Sequence, residues 1–156
     1  MLTTASQSPD VVYYSTMLDA VAGKLLLGQT ADGKLCRLSF MRKSAAKTII
    51  RQWEKEWPKT SFKRQPKTSI KKFTPQMKLH LVGTPFQIEA WLGLLTIEKG
   101  ETVSYAELAK RIKRPKSIRA LGTAMGKNPL PLILPCHRVI ASDGSLGGFS
   151  SGINLK

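Results

Sequence analysis

Short apolar segments separated by turns fill the first forty residues of the chain. Val11–Ser15, Lys24–Thr30 and Leu35–Phe40 are each long enough for one strand. Asp32-Gly33 stands between the last two segments, and this dipeptide favours the tight turn of a β-hairpin. The pattern therefore predicts a small sheet at the start of the chain.

A helical pattern follows over Ser44–Trp57 and ends at Pro58. Its apolar positions recur at the spacing that brings them onto one helix face, and they are Ile49, Ile50, Trp53 and Trp57. Residues 59–74 are basic and show no clear period, so we expect a loop or linker there. We place a domain boundary near residues 74–84, with a first domain over 1–79 and a second over 80–156.

Three further helices are predicted in the second half. Thr84–Gln87 is a capping box with proline at the first helical position, and its helix is expected to end at Gly100. Ser104–Glu107 is a second capping box, which opens a short helix. Ser117–Met125 is the third helix, with Gly126 as its C-cap. The expected inward positions are Ile88, Trp91, Leu92 and Leu95, then Leu108, Ala109 and Ile112, then Ile118, Leu121 and Met125.

The last two of these helices are joined by a tight basic turn over residues 113–116, which favours a helix-turn-helix. The outward face of the third helix carries Arg119, Gly122 and Thr123, which are small or basic. Such a face can approach a nucleic-acid backbone closely. Strands in the first half and helices in the second predict a mixed α/β (α+β) fold.

Composition narrows the class of protein. The 156 residues are 42% hydrophobic and include three Trp and five Phe, which is enough for a packed core. The sequence contains no apolar run of 18 residues, and residues 1–10 lack the pattern of a secretory signal, so we expect a cytoplasmic protein, nucleoid-associated in a bacterium. Two cysteines, Cys36 and Cys136, do not form a disulfide framework.

The net charge of +15 indicates an anionic partner, most simply nucleic acid. Residues 36–79 contain 13 basic and two acidic residues, so this middle block alone has a net charge of +11. Its lysines are typical of a solvated face that keeps a protein soluble. A non-specific DNA contact is the alternative.

Cys136 is the candidate nucleophile. It stands between the apolar run Leu130–Leu134, interpreted as a strand, and Val139-Ile140, where a cysteine is by default a buried, inert residue. His137 and Arg138 follow it, and nearby positive charge lowers a thiol pKa. Neighbouring side chains of a strand point to opposite faces, so a Cys–His relay needs a bend or a bridging water. The cysteines and histidines have no metal-ligand spacing, and we expect no metal site.

The ordered motifs of the second half resemble the O6-alkylguanine-DNA alkyltransferase family, also called methylated-DNA–protein-cysteine methyltransferases. The motifs are Gly83–Gln87 with Trp91, Gly100–Tyr105, Arg119-Ala120, Asn128-Pro129, Pro135–Ile140 and Gly147–Ser150. The resemblance implies a ribonuclease-H-like N-terminal domain with a basic linker. It also implies a C-terminal, winged-helix-like helix-turn-helix domain that binds DNA and carries the reaction.

The resemblance also implies the chemistry. Cys136 is then the methyl acceptor in a stoichiometric, self-inactivating DNA repair reaction that needs no metal or soluble cofactor. His137 resembles the base that takes the thiol proton through a water, and Asn128 matches a residue that holds the network beside the cysteine. Tyr105 matches a residue that crowds the 3′ phosphate and donates a hydrogen bond to guanine N3.

The implied partner is double-stranded DNA that carries O6-alkylguanine, bound through its minor groove by a monomer. Arg119 matches the finger that fills the gap left by the flipped base. Helix 117–125 would enter the minor groove, where Ala120 and Gly122 permit close approach, with Ser117 and Thr123 beside them. The implied base pocket consists of the Cys136 and Val139 carbonyls, the Ser150 N–H, Pro131 and Phe149.

Two departures from the family pattern stand out. Phe149 occupies a position where the family usually has tyrosine. The sequence ends at Lys156, before the family's last helix and its glutamate partner for the histidine. We therefore expect that the sequence is truncated or that His137 works without a carboxylate partner.

Three other functions remain open from the residues alone. A non-catalytic protein that flags alkyl lesions for another repair pathway would use the same fold. A helix-turn-helix regulator would read sequence in the major groove and use Cys136 structurally or for redox sensing. A Cys–His hydrolase has the least support, because no oxyanion hole or substrate groove can be argued.

Overall fold

The computed structural model describes residues 2–41, 45–66, 68, 70–74 and 76–142, and it divides the chain into two compact units. The first unit is Met1–Gly83 and the second is Thr84–Lys156. Residues 80–83, which the sequence assigned to the second domain, belong to the first unit. The reason is that Leu79–Val82 is a strand of the first unit's sheet.

A six-stranded sheet forms the first unit. In chain order its strands are β1 (Leu2–Ala5), β2 (Val11–Asp19), β3 (Gly23–Thr30), β4 (Leu35–Phe40), β5 (Ser61–Arg64) and β6 (Leu79–Val82). Their order across the sheet is β1-β6-β4-β3-β2-β5. The central strands β2, β3 and β4 are antiparallel neighbours, whereas β1 pairs with β6 and β5 pairs with β2 in parallel. The mixed α/β class expected from the sequence is confirmed.

The three predicted strands are confirmed as β2, β3 and β4, and β1, β5 and β6 were missed. Each missed strand is only four residues long. The strand β5 is an edge strand with basic side chains at Lys63 and Arg64, so it has no apolar alternation to reveal it. Basic residues are typical of sheet edges because they discourage pairing with other chains.

The helix α1 (Ala46–Glu56) packs on this sheet through its apolar face. Ile49, Ile50 and Trp53 are buried against Leu26 of β3. Ser44, the predicted first residue of this helix, lies outside the described residues. The buried face of α1 consists of apolar residues that the sequence pattern predicted, and its outward face is polar.

Arg37 shows that part of the middle block's charge is structural. Its side chain is buried in β4, and its guanidinium lies 4.0 Å from the centre of the Trp57 ring. It also forms an ion pair with Glu56 at the end of α1. This basic residue therefore binds the helix to the sheet and is not available to a partner.

The second unit consists of small elements. They are α2 (Pro85–Leu94), β7 (Val103–Ser104), α3 (Tyr105–Arg111), α4 (Ile118–Gly126), a 3₁₀ turn (Cys136–Arg138) and β8 (Val139–Ile140). The helix α2 begins with the expected capping box, because the Gln87 N–H donates to Thr84 Oγ1 at 3.2 Å and the Thr84 N–H donates to Gln87 Oε1 at 3.0 Å. It ends at Leu94 and not at Gly100, so Leu95 is 49% exposed and does not face inward as predicted.

The turn between α3 and α4 has the hydrogen bonds of a Schellman motif. The Lys113 N–H donates to the Lys110 carbonyl at 2.9 Å, and the Arg114 N–H donates to the Ala109 carbonyl at 2.8 Å. This motif needs a left-handed residue, and Lys113 takes that conformation with a φ of 57°. The helix-turn-helix geometry is thus closed by a lysine where glycine is usual.

Two details of α4 differ from the sequence prediction. Gly126 is the last helical residue, and the C-cap is Lys127, so no left-handed glycine ends this helix. Ile118 is 45% exposed and does not point inward, because it begins the helix instead of lying one turn inside it. Leu121 and Met125 are buried as expected.

The indole of Trp91 fixes α2 against α4. Its N–H donates to the Ala124 carbonyl at 2.9 Å, and the ring is almost completely buried. Gly93 of α2 has no side chain for a packing reason, since a Cβ there would lie 2.5 Å from Ile112 Cγ2. These contacts make the three helices one rigid support for the segment that follows α4.

Candidate active site and nucleic-acid interface

A series of turns replaces the strand predicted over Leu130–Leu134. Asn128 holds these turns at both ends, because its side-chain amide donates to the Leu134 carbonyl at 2.8 Å and its Oδ1 accepts from the Leu130 N–H at 2.9 Å. Leu132 lies within the turns with a φ of 87°, a left-handed conformation that costs a leucine free energy. Asn128 thus organises the backbone that leads into Cys136.

Cys136 begins the 3₁₀ turn and is 3% exposed. Its N–H donates to the Leu134 carbonyl at 2.7 Å, the same oxygen that accepts from Asn128. The Arg138 N–H closes the turn on the Pro135 carbonyl at 3.0 Å. The sequence interpretation of a strand on this side of Cys136 was wrong, and the turn supplies the bend that a Cys–His arrangement requires.

His137 follows Cys136 within the same turn and is half-buried. A 3₁₀ turn has three residues per turn, so the side chains of these two neighbours leave the backbone about 120° apart. That divergence is smaller than the opposite-face arrangement of a strand. The two side chains therefore diverge less than they would on a strand, and they leave a turn whose backbone is fixed by hydrogen bonds just before β8.

Arg138 anchors the other end of the turn. Its Nη1 donates to the Ile97 carbonyl at 2.9 Å, across 41 positions of sequence. Sequence reasoning treated Arg138 only as a positive charge near the thiol and missed this tether. Arg138 is partly buried, and it positions the turn. No local sequence signal identifies the Ile97 carbonyl as its acceptor.

Tyr105 enters the site from the other half of the unit. The strand β7 pairs with β8 in parallel, with Val103 opposite Val139, and Tyr105 follows β7 as the first residue of α3. Burial raises the pKa of the half-buried Tyr105 hydroxyl, and the negative charge of a Cys136 thiolate raises it further. The hydroxyl is therefore protonated at neutral pH and can donate a hydrogen bond close to Cys136.

The outward face of α4 is nearly bare. Arg119 is exposed there, and Gly122, Thr123 and Gly126 follow it on the same side of the helix. A Cβ added at Gly122 or Gly126 would meet nothing within 4 Å, so packing within the protein does not require either glycine. Glycine destabilises a helix relative to alanine by roughly 0.5–1 kcal/mol, so the two glycines lower helix stability and leave this face open to close approach.

The structure brings the predicted site residues together in two groups. One group surrounds the 3₁₀ turn: Tyr105, Asn128, Cys136, His137 and Val139, with Pro131 buried in the turns before it. The other is on α4, where Arg119, Ala120, Gly122 and Thr123 are exposed and Ser117 is half-buried at the N-cap. Phe149 and Ser150, predicted to line the base pocket, lie outside the described residues.

The second cysteine gives an internal comparison. Cys36 is completely buried in β4, and its thiol donates to the Gly28 carbonyl at 3.3 Å. Burial raises the pKa of the Cys36 thiol to about 12. Cys36 is therefore a neutral thiol inside the sheet, whereas Cys136, which is 3% exposed, lies in the turn that precedes β8.

Other kinds of site find no support in the described part of the chain. No cluster of three histidine, cysteine or carboxylate side chains suitable for a metal ion occurs among the described residues. None of the helices described is long and apolar enough to cross a bilayer. An open depression of about 470 Å³ in the first unit is lined by residues such as Tyr13, Gln29 and Arg64, which include no nucleophile with an adjacent base.

Comparison with known proteins gives one consistent result. Residues 85–156 match the family model described as 6-O-methylguanine DNA methyltransferase, DNA binding domain. The methylated-DNA–protein-cysteine methyltransferase of Methanosarcina mazei is 36% identical over 148 residues, which cover 93% of this chain and 92% of that protein. The protein of the same name from Mycobacterium bovis is 51% identical over 80 residues, 51% of this chain and 48% of that protein.

Solved structures agree with these sequence relatives. The crystal structure of Mycobacterium tuberculosis OGT in complex with DNA superimposes with a TM-score of 0.69 and 33% identity, covering 92% of this chain and 87% of that one. The O6-methylguanine-DNA methyltransferase of Pyrococcus kodakaraensis superimposes with a TM-score of 0.63 and 26% identity, covering 92% and 93%. On the cysteine-bearing turn, the bare helix face and these relatives together, the chain belongs to the methylated-DNA–protein-cysteine methyltransferase family.

Proposed function

We propose that this protein repairs DNA by transferring the alkyl group of O6-alkylguanine to its own Cys136 in a single turnover. The observation that carries the proposal is the position of Cys136: a thiol at the start of a 3₁₀ turn that is fixed by Asn128 and Arg138 and lies within electrostatic reach of Tyr105. We infer the reaction from the family relationship, and we propose the residues that carry it from this geometry.

The reaction is one in-line displacement at carbon. The Cys136 sulfur forms a bond to the alkyl carbon while the bond from that carbon to guanine O6 breaks, and its electron pair remains on the guanine. The thiol proton passes to His137 through a water, and the departing guanine recovers a proton at a ring nitrogen. The thioether product is stable, so Cys136 is consumed and the protein acts once.

Tyr105 assists the leaving base in this scheme. Its raised pKa keeps the hydroxyl protonated at physiological pH, as a donor to guanine N3 must be. The Leu134 carbonyl is already occupied by two donors, the Asn128 amide and the Cys136 N–H. The Cys136 carbonyl, which also accepts from the Val139 N–H, and the Val139 carbonyl are the acceptors proposed for the guanine amino group.

DNA is bound through α4 in the minor groove. The small residues Ala120, Gly122 and Thr123 let the helix approach the sugar–phosphate walls, and Arg119 is the long side chain among them. The target base must leave the stack to reach a buried thiol, and the Arg119 side chain fills the space it leaves. One copy of the chain supplies all of these groups, so the proposed reactive species is a monomer.

The test is the mass of the intact protein after incubation with a duplex that contains one O6-methylguanine. We expect a gain of one methyl group, located on the peptide that contains Cys136. The variant Cys136→Ala gains none. The matched control is Cys36→Ala, which keeps the full gain because Cys36 is buried and protonated.

Two results would contradict the proposal. Tight binding of the lesion without any mass gain would indicate a protein that flags damage for another pathway. Preference for one undamaged DNA sequence over the alkylated duplex would indicate a helix-turn-helix regulator.

A further inference from the structure

Three basic residues on α1 form a row that the proposed reaction does not use. Lys47, Arg51 and Lys55 are spaced four residues apart, so they lie along one side of the helix. All three are exposed, and the opposite side of α1 carries the buried residues Ile49, Ile50 and Trp53. We call these three residues the basic stripe.

The basic stripe has no ion-pair partner within the part of the chain that the structure describes. Among the described residues, none of its three side chains forms an ion pair. Of the two acidic residues of α1, Glu56 is occupied by Arg37 and Gln52, and Glu54 is exposed three residues after Arg51, so this side of the helix keeps a net positive charge. Like charges four residues apart destabilise a helix, so the stripe lowers the stability of α1. None of the ion pairs of the described residues compensates for this repulsion.

The surroundings of the stripe indicate which kind of polyanion it fits. Proteins that bind single strands stack bases on exposed aromatic rings, whereas Trp53 and Trp57 are both buried. Helices that bind membranes insert an apolar face, and the apolar face of α1 is packed on the sheet. An exposed row of charges without aromatic or apolar neighbours is suited to the phosphate backbone of a duplex, which is read as charge alone.

We infer that the basic stripe of α1 is a second DNA-backbone contact, located in the first unit and independent of the lesion. It adds non-specific, salt-sensitive affinity for duplex DNA while the second unit carries the chemistry. The choice of duplex DNA rests on the proposed function. The stripe accounts for three of the basic residues in the middle block, just as Arg37 accounts for one by internal packing.

The experiment measures binding of the full chain to an undamaged duplex at several NaCl concentrations. In the variant Lys47→Gln, Arg51→Gln, Lys55→Gln, the slope of log affinity against log salt is expected to be shallower by about 2.7, or about 0.9 per phosphate contact. Between 50 and 200 mM NaCl the variant then loses about 40-fold less affinity than the unmodified chain. Methyl transfer to Cys136 at saturating alkylated DNA is expected to be unchanged.

The matched control removes the same charge elsewhere in the block, with Lys71→Gln, Lys72→Gln, Lys78→Gln. These lysines are exposed and lie outside α1, in the segment before β6. A much smaller change of slope in this control supports the inference, and an equal change overturns it by assigning the effect to net charge. An unchanged slope in the stripe variant also overturns the inference. So does a variant that binds phosphatidylserine vesicles more weakly than the unmodified chain but binds the duplex equally well. Methylation of Cys136 by an alkylated duplex, measured on the same protein preparations, tests the proposed function separately.

Discussion

The helices α1 and α4 are both amphipathic, but their exposed faces differ. Both bury an apolar face, formed by Ile49, Ile50 and Trp53 in α1 and by Leu121, Ala124 and Met125 in α4. Outward, α1 carries long basic side chains, whereas α4 carries glycines and one arginine. The long basic side chains of α1 keep a bound partner at a distance from the helix backbone. The glycines of α4 let a partner approach the backbone closely.

This difference separates two ways of recognising DNA. Charge at a distance gives affinity that depends on salt and not on the state of a base. Contact at backbone distance depends on shape, so it can report a base that has left the stack. Substitutions on α4 test the close contact, and substitutions in the first unit and in the turn before α4 test which other charges contribute to binding.

Replacing the one long side chain on the bare face gives the largest effect. Arg119→Ala is expected to slow methyl transfer from duplex DNA by about 10- to 100-fold, since flipping a base costs a few kcal/mol that the arginine offsets. Transfer from a single-stranded oligonucleotide should change little, because no gap opens there. Lys99→Ala removes an exposed charge outside α4 and is the control. Equal slowing on both substrates would refute the finger role.

Removing the buried cation tests which charges of the first unit are structural. Arg37→Met is expected to lower the free energy of unfolding by about 2 kcal/mol, through the lost contact with Trp57 and the lost ion pair with Glu56. Chemical denaturation measures this change. The salt dependence of DNA binding should stay as in the unmodified chain, and a shallower slope would show that Arg37 reaches DNA.

Two helical glycines should respond to alanine with opposite signs. Gly122→Ala is expected to stabilise the protein by about 0.5–1 kcal/mol and to weaken DNA binding several-fold, because the new methyl group occupies the open side of α4. Gly93→Ala should destabilise by about 1–3 kcal/mol, because its Cβ would overlap Ile112. Thermal unfolding and duplex binding measure both. Tighter DNA binding by Gly122→Ala would contradict the close approach.

Lys113, in the turn between α3 and α4, has both a left-handed backbone conformation and a positive charge. Lys113→Gly relieves a left-handed lysine and should stabilise by about 1 kcal/mol. If the lysine contacts a phosphate, the slope of log affinity against log salt becomes shallower by about 0.9. Lys113→Gln is the matched control, with the same loss of slope and no gain in stability. A stabilised Lys113→Gly with an unchanged slope would show that Lys113 does not contact a phosphate.

The smallest effect concerns pH. His80 is in β6, and burial lowers its pKa below the usual 6.5, with a further lowering by Lys34 that Asp32 partly opposes. As pH falls through 6.5 the unfolded chain takes up the proton first, so the free energy of unfolding decreases until the folded pKa is reached. Denaturation at pH 5 to 7.5 measures this, and His80→Gln should flatten the decrease. An equal decrease in that variant would assign it to another group.

Capping and apolar spacing made much of the helical structure predictable from sequence. Thr84–Gln87 formed its capping box. At Ser104–Glu107 only half of the predicted box forms: the Ser104 hydroxyl accepts from the Glu107 N–H at 3.1 Å, but the Glu107 carboxylate pairs with Arg111. These signals are local, because each depends on residues three or four positions apart. The helix end at Leu94 was missed, since Gly100 is a strong stop signal and nothing local marks the earlier end.

The long-range contacts of the site were not readable from sequence. The tether from Arg138 to Ile97 and the bond from Trp91 to Ala124 join residues whose partners are backbone carbonyls, which any residue type provides. The turns over Leu130–Leu134 were taken for a strand because their residues are apolar. Asn128 holds those turns, and its role beside Cys136 was expected only through the family resemblance.

The position of β6 in the sheet also decides the order in which a ribosome can complete this protein. Among the strands that the structure describes, β1 is made first but pairs only with β6, which is the last strand of the first unit to be synthesised. The hairpins β2–β3 and β3–β4 can close early, whereas the amino-terminal strand waits unpaired through most of the unit's synthesis. The sheet of the first unit therefore cannot be completed until β6 has been synthesised and released.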